Sequence, residues 1–365
     1  MVDQNPINPL TKNGTTDLEA EKKKYRRLTA KRVTFIVASV ILLLVVAGIA
    51  LALGSANMSF LDAYTAILAR AFPDVFHVSS LADNVVWNLR LPRILLAIFA
   101  GAALAMSGTT TQAILRNPIA TPYTLGVSAG AGLGAAIGII LNSGFTEGRF
   151  LIIGNAFIFS LIPVAVILLL VKRKGASPET MILAGIAMVY IFNACTTILQ
   201  YFAESNAVSA TVFWLVGDLS RAAWWQLPYI VVVLVACFVI NLKLSWDLNV
   251  MRMGDDSAKS LGADVDRTRK IILILACLCT ATVVSFTGAI GFICLVAPHI
   301  CRAVIGGDQR YLIVSSTLFG AILLLVADIV ARNLLAPVIL PVGAITAFLG
   351  GPLLLYLLVR RRRNQ

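Results

Sequence analysis

The chain of 365 residues is 59% hydrophobic and only 13% charged, and its mean hydropathy is +0.88. No soluble fold covers that much apolar surface, so the composition excludes a soluble enzyme or scaffold and predicts an all-α polytopic membrane protein. A net charge of +12 would suit a nucleic-acid partner, but the basic residues fall mostly in alternate gaps between apolar runs, which marks cytosolic loops instead.

Residues 1–32 form a polar and basic tail. Residues 1–20 are polar and are expected to lack structure. Lys22, Lys23, Lys24, Arg26, Arg27, Lys31 and Arg32 then stand directly before the first apolar run and hold the N-terminus in the cytosol. No cleavage box follows that run, so it reads as a span and not as a secretory signal. Ten spans are predicted near 33–53, 92–115, 124–141, 150–171, 180–202, 226–242, 268–287, 290–305, 310–332 and 341–359. They make one ten-helix transmembrane domain over 33–360, followed by a basic tail at 361–365. An even span count keeps both termini cytosolic and leaves only Arg70, Arg90, Arg93, Arg149, Arg221 and Arg332 outside. The segment 55–89 is too polar to span and is expected as a partly helical outer cap. Residues 203–225, with Trp214, Trp224 and Trp225, are expected in the outer aromatic belt. The six cysteines lie in or beside apolar runs without metal-ligand spacing and read as small buried apolar groups. No metal and no cofactor is expected.

The stretch from Arg90 to Gly138 organises the chain. Two apolar helices meet there at a polar break, Arg116-Asn117-Pro118-Ile119-Ala120-Thr121-Pro122. The second helix carries Gly126, Gly130, Gly134 and Gly138 on one stripe, which lets another backbone approach closely. Ala97, Gly101, Ala105 and Thr109 repeat the pattern more weakly on the first. A broken helix pair at membrane depth survives only where it is buried or lines a wet cavity, which suits a transport pathway.

Three further segments can carry chemistry. The inner-side stretch 250–267, VMRMGDDSAKSLGADVDR, reads as a short helix capped by Asp255, with Lys259 four residues on and Gly262 at its end. Such a helix offers a contact for a soluble partner; the alternative is a solvated loop. His299, after Pro298, is a candidate ligand or proton relay, although a lone His at a helix end more simply bonds a free carbonyl. Asp328 and Arg332 can pair at i,i+4 near the outer interface, with Arg332 available for docking. Gly126-Val127-Ser128-Ala129-Gly130 matches a nucleophile elbow in letters only, because that motif needs a strand before it and a histidine partner. An intramembrane serine hydrolase using Ser128 and His299 is therefore a distant alternative, as is an ion-coupled secondary transporter, which would need carboxylates deep in the spans. No G-x-x-x-x-G-K-[ST] occurs, so the chain has no P-loop ATP site of its own.

Several stretches together resemble one family, the FecCD-type permeases of ABC importers for iron–siderophores, haem and cobalamin. They are RLPRILLAIFAGAALAMSGTTTQAILRNPIATPYTLGVSAGAG, MILAGIA, VFWLVGDLS, MGDDSAKSLGA, TGAIGFICLVAPHICR, LLLVADIVAR and LPVGAITAFLGGPLLLYLL, in that order. The resemblance implies the type II ABC importer permease fold with ten helices per subunit. It implies a second permease subunit, identical or a close paralogue, with the pathway on the two-fold axis. It also implies two cytosolic ABC ATPase subunits, an extracytoplasmic solute-binding protein, and a ferric siderophore or similar metal chelate as substrate in a prokaryotic cytoplasmic membrane. Arg90, Arg93 and Arg332 match the family's docking arginines. Met253, Gly254, Asp255, Asp256, Ser257, Ala258, Lys259, Ser260, Leu261 and Gly262 match its coupling helices. Asn117 and Ile119 match part of the cytoplasmic gate, and Ser177, Glu179 and Thr180 stand at its other element. Here the chain has Ser-Pro-Glu-Thr in place of the Ser/Thr-rich run of the cobalamin importer, which disfavours cobalamin.

Overall fold

A computed structural model describes residues 11–53, 60–72, 74–76, 78–175 and 177–362. The N-terminal half holds α1 (Thr11–Ala52), α2 (Phe60–Ala71), α3 (Ser80–Asn84), α4 (Leu91–Ile114), α5 (Val127–Ile140), α6 (Leu151–Lys174) and α7 (Pro178–Tyr201). The rest holds α8 (Ser205–Val216), α9 (Leu227–Lys243), α10 (Ser245–Met251), α11 (Asp255–Ser260), α12 (Val265–Thr287), α13 (Ile293–Ile305), α14 (Gln309–Asn333) and α15 (Val342–Arg362). Among the described residues, seven helical segments are long and apolar enough to cross a membrane: those of α1, α3–α4, α6, α7, α9, α12 and α14. The spans expected at 124–141, 290–305 and 341–359 fall on α5, α13 and α15, whose apolar helical parts are shorter. Irregular backbone accounts for the first two. A 3₁₀ turn at Pro122–Leu125 and Gly126 (φ +92°) precede α5, and Gly288 (φ +71°) to Phe292 (φ +66°) precede α13.

Helix α4 is the hub. It is buried on every side from Ala100 to Ile114, as expected of a helix apolar all round. Close backbone approach holds it in place. Gly101 faces the backbone of Gly320 in α14, and Gly108 faces the backbone of Cys294 in α13, each with no room for a Cβ. The same device joins α5 to α6, where Gly130 meets the carbonyl of Phe159 and Gly134 that of Asn155. Within lipid there is no water to drive helices together, so small residues that let backbones touch supply the packing energy. Gly138 is looser, with Ile152 Cα 3.3 Å from a built Cβ. Gly126 also packs closely, with Pro163 of α6 3.2 Å from where its Cβ would stand, and its positive φ forms the turn between the 3₁₀ segment and α5.

Two expectations are corrected here. Residues 11–20 are helical and continue into the first span without a break. The reason is composition: Asp17 to Lys24 is almost entirely Leu, Glu, Ala and Lys, all strong helix formers. Residues 1–10 lie outside the described residues. Within 203–225, α8 is half packed and not wholly interfacial: Thr211 and Trp214 are buried, Trp214 only 5% exposed, while Val212 and Phe213 are exposed. Its last turn is clamped by glycines, since a Cβ on Gly288 would strike the Trp214 carbonyl and one on Gly343 the Val216 carbonyl. Trp224 is exposed, and Trp225 is partly buried against Phe150 and Phe286. The 55–89 cap contains α2 and α3, while His77 is outside the described residues.

Candidate functional site

At one end of the bundle, the chain enters α4 through a π-helical turn, Val85–Arg90, in which the Leu91 N–H donates to the Val86 carbonyl. Pro92 has no N–H to continue the ladder, so the Trp87 carbonyl is left open. Trp224 Nε1 donates to it at 2.7 Å, and the two indoles stack at 6.0 Å. Arg70 lies 4.3 Å over the Trp87 ring and 3.3 Å from Asp83. The turn aims Arg90 and Arg93 inward. Arg90 Nη1 donates to the carbonyls of Leu51 at 2.6 Å and Ala52 at 3.1 Å. Arg93 Nε donates to Asp328 Oδ1 at 2.8 Å. Arg332 Nε lies 3.0 Å from Asp328 Oδ2, and its Nη atoms donate to the carbonyls of Leu53 and Ala50.

The three arginines were expected as exposed rim charges. They are 5–6% exposed, and Asp328 is fully buried. The cause is the C-terminus of α1. Its last carbonyls have no intrahelical donors, and its dipole favours cations there. Arg90 and Arg332 supply both needs. The Asp328–Arg332 pair foreseen from i,i+4 spacing is present, but Arg93, 235 residues away, is its second partner. Arg93 and Arg332 share the Asp328 carboxylate while Arg90 rests on the α1 carbonyls, so the three arginines and one aspartate retain two positive charges, and Arg90 Nη2 and Arg93 Nη2 find no hydrogen-bond partner among the described residues.

On the opposite side, α11 lies between Gly254 (φ +114°) and Gly262 (φ +87°), which set its two ends. Asp255 does not cap it, as spacing had suggested; the N-cap is Gly254. The carboxylate turns to Arg269 of α12, whose Nη2 donates at 2.9 Å, and to Arg116 at 3.3 Å. Arg269 is 1% exposed and its Nε also donates to the Ile114 carbonyl at the end of α4, at 3.2 Å. Asp255 thus ties α11 to both α12 and the end of the hub helix. Burial alone would push its carboxyl up, but Arg269, Arg116 and Lys259 together hold it below the ordinary aspartate value. Asp256, Ser257, Lys259 and Ser260 are exposed, and so are Met253 (71%) and Leu261 (65%). Ala258 faces inward.

A second hub on this side was not foreseen. Asp308 caps α14 and collects Arg32 at 3.1 Å, Arg310 at 2.8 Å and Asn249 at 2.9 Å. Arg32 Nε also donates to the Ile305 carbonyl at 3.2 Å. Burial raises the Asp308 carboxyl, yet Arg310 and Asn249 outweigh it and leave the pKa at about 2. Its position before a helix was visible in sequence; its partners, 59 and 276 residues away, were not.

The two expected gate segments have defined local roles. Arg116 takes a left-handed conformation (φ +48°) after α4, and Asn117 Oδ1 accepts from the Ile119 N–H at 3.1 Å, with Ile119 exposed. Ser177 caps α7, its hydroxyl accepting from the Thr180 N–H at 3.2 Å and donating to Thr180 Oγ1 at 3.0 Å. Glu179 is exposed in the first turn. The segments are linked through α7, where a Cβ on Gly185 would lie 2.6 Å from the Thr124 carbonyl oxygen. Ser128 sits in the first turn of α5 after a 3₁₀ turn, not on a strand-to-helix elbow, which removes the hydrolase reading. His299 is partly buried in α13, one turn from Arg302, whose Nη2 donates to Gln112 at 2.8 Å.

The family described as the FecCD transport family matches residues 41–360. An ABC transporter permease protein of Methanocaldococcus jannaschii is 42% identical over 347 residues, covering 93% of this chain and 97% of its own. The hemin transport permease of Yersinia pestis is 36% identical, covering 86% of this chain and 93% of its own. The cobalamin import permease of Halobacterium salinarum is 38% identical, covering 80% and 78%. Among solved structures, an inward-facing ABC transporter assigned to the metal-chelate type superposes with a TM-score of 0.79 at 28% identity, over 90% of this chain and 99% of that one.

Proposed function

We propose a role that proceeds from one premise: this chain belongs to the FecCD transport family. It is the membrane permease subunit of an ABC importer and forms the translocation pathway for a metal chelate of the ferric siderophore, haem or cobalamin kind. Separate cytosolic ATPase subunits drive it, a second permease subunit completes the pathway, and an extracytoplasmic protein delivers the substrate. Both termini face the cytosol.

The observation that carries this reading is the wiring of α11. A short cytosolic helix presents exposed Met253 and Leu261 to a partner while Asp255 binds it to Arg269, and Arg269 in turn holds the last carbonyl of α4. Asn117 and Ile119 follow that end directly. Motion imposed on α11 therefore reaches the start of the gate segment through two charge-assisted hydrogen bonds, which are among the stiffer polar links. On the outer side, the two excess positive charges of the Arg90–Arg93–Arg332 cluster support delivery by an acidic protein, with charge governing encounter rate and salt dependence.

The test is uptake into proteoliposomes holding the permease, its ATPase subunits and the binding protein, with haem, cobalamin, ferric citrate and a ferric siderophore offered in turn. Uptake of one iron chelate that needs both ATP and the binding protein is expected. Uptake that persists without ATPase subunits and collapses with an ionophore would replace this reading with a secondary transporter.

A further inference from the structure

The family match begins at residue 41, yet α1 starts at Thr11 and crosses that point as one unbroken helix. The segment before the span is fixed in rotation. Arg32 is bound to Asp308 and the Ile305 carbonyl and lies 4.9 Å over the Tyr311 ring. One helical stripe back, Tyr25 interacts with Arg310. Between residues 21 and 32, only Thr29 and Arg32 are partly buried; the rest are exposed. At about 100° per residue, Tyr25, Thr29 and Arg32 share the stripe that faces the body of the protein. Lys23, Lys24, Arg26, Arg27 and Lys31 fan over the opposite arc of roughly 160°, and Lys22 stands at the edge of the body stripe. Glu21, the one acidic residue between 21 and 32, falls on the body side of that division.

Five of the six cations therefore point sideways, away from the bundle, and the sixth, Lys22, is exposed beside the stripe. All six lie within about 15 Å of Arg32 along the helix axis, and long side chains can reach back toward the bilayer while their stems stay on the helix. A soluble subunit docked beneath the permease would meet the end of such a helix, whereas the sideways arc meets headgroups. We propose that Lys22–Lys31 is a collar that binds anionic phospholipid headgroups of the cytosolic leaflet, rotationally set by the Arg32–Asp308 lock. Asp308 also holds Asn249 of α10, so the lock joins the collar to the segment that leads into α11. The inference rests on the cytosolic placement of the N-terminus and not on the identity of the substrate.

The full complex, reconstituted in phosphatidylcholine, is probed with spin-labelled phosphatidylglycerol and spin-labelled phosphatidylcholine, and the motionally restricted fraction of each gives a relative association constant. Wild type is expected to prefer phosphatidylglycerol by roughly three-fold or more at low salt, falling toward unity by about 0.5 M salt. A variant with all six cations changed to Gln is expected to lose most of that preference while its thermal unfolding stays within a degree or two of wild type, since none of the six is buried. An unchanged lipid preference in the variant overturns the proposal. So does an unchanged preference accompanied by salt-sensitive loss of the ATPase subunits, which would assign the collar to them instead. Trypsin added to sealed vesicles from the outer side checks the placement separately: cleavage at the collar would sink the topology itself, whatever the lipid result.

Discussion

Asp255 and Asp256 are neighbours in sequence with different surroundings. Asp255 compensates a buried guanidinium; Asp256 is exposed. Removing one member of a buried pair leaves an unpaired charge and costs about 3–5 kcal/mol when both are buried. Asp255 is partly exposed, so Asp255→Asn is expected to cost less, about 1–2 kcal/mol, and to lower ATP-driven uptake more than it lowers ATPase assembly. Asp256→Asn is expected to leave thermal stability within about 0.5 kcal/mol of wild type. Equal loss of stability in the two variants, read by thermal unfolding in nanodiscs, would refute the division. Asp308 makes a pH prediction. Its folded pKa is about 2, below its ordinary value, so its contribution is fully present above the unfolded value of about 3.9 and is lost as pH falls through the folded one. The stability gap between wild type and Asp308→Asn is thus expected to be flat from pH 7 to about 5 and to shrink below about 4. A gap that changed between pH 7 and 6 would point to a different group.

At the scale of elements, the glycines rank themselves by what a methyl group would strike. At Gly134 it meets the Asn155 carbonyl, and at Gly138 nothing nearer than 3.3 Å. Gly134→Ala is therefore expected to push α5 off α6 at a cost of about 1–3 kcal/mol, and Gly138→Ala to cost well under half of that. Comparable thermal shifts for the two would mean that the α5–α6 contact is not set by backbone approach. The π-helical turn before α4 belongs to this scale as well. Pro92 frees the Trp87 carbonyl and Trp224 takes it, so one missing N–H in α4 fastens the outer cap to the segment leading into α9. Such turns inside helices recur at functional positions, and here the turn is what brings Arg90 onto the end of α1.

For the molecule as a whole, the outer charge cluster joins α1, α4 and α14 through one carboxylate and the last carbonyls of α1. Asp328→Asn would leave the buried guanidiniums of Arg93 and Arg332 without their counter-charge and is expected to destabilise the fold by about 3–5 kcal/mol. If Arg90 and Arg93 were exposed docking residues, Arg90→Glu with Arg93→Glu would slow docking and leave folding intact. Burial changes that expectation: the double variant should unfold several degrees earlier, and its docking rate must be measured on the folded fraction. An unaltered unfolding temperature would show that these side chains are free at the rim after all. The two clusters sit at opposite ends of α4, Asp328 by its N-terminal end and Asp255 by its C-terminal end, so one helix carries both.

The sequence alone determined the class of protein, the approximate positions of its apolar segments and the family, because hydropathy over about 20 residues and the placement of lysine and arginine are local properties that the bilayer reads directly. It also marked the close-packing glycines, since helical periodicity puts Gly130 and Gly134 on one stripe, and the i,i+4 pair of Asp328 and Arg332. Tertiary structure decided the rest. That Asp255 serves Arg269 and not its own helix, that Arg93 reaches Asp328, that Arg90 caps α1, and that Asp308 gathers Arg32 and Asn249 all depend on partners 14 to 276 residues away. No local pattern encodes them. A buried charge takes whichever opposite charge or unsatisfied carbonyl the packed helices bring within hydrogen-bond reach, and in this bundle backbone approach at Gly101, Gly108 and Gly320 sets which helices come close enough.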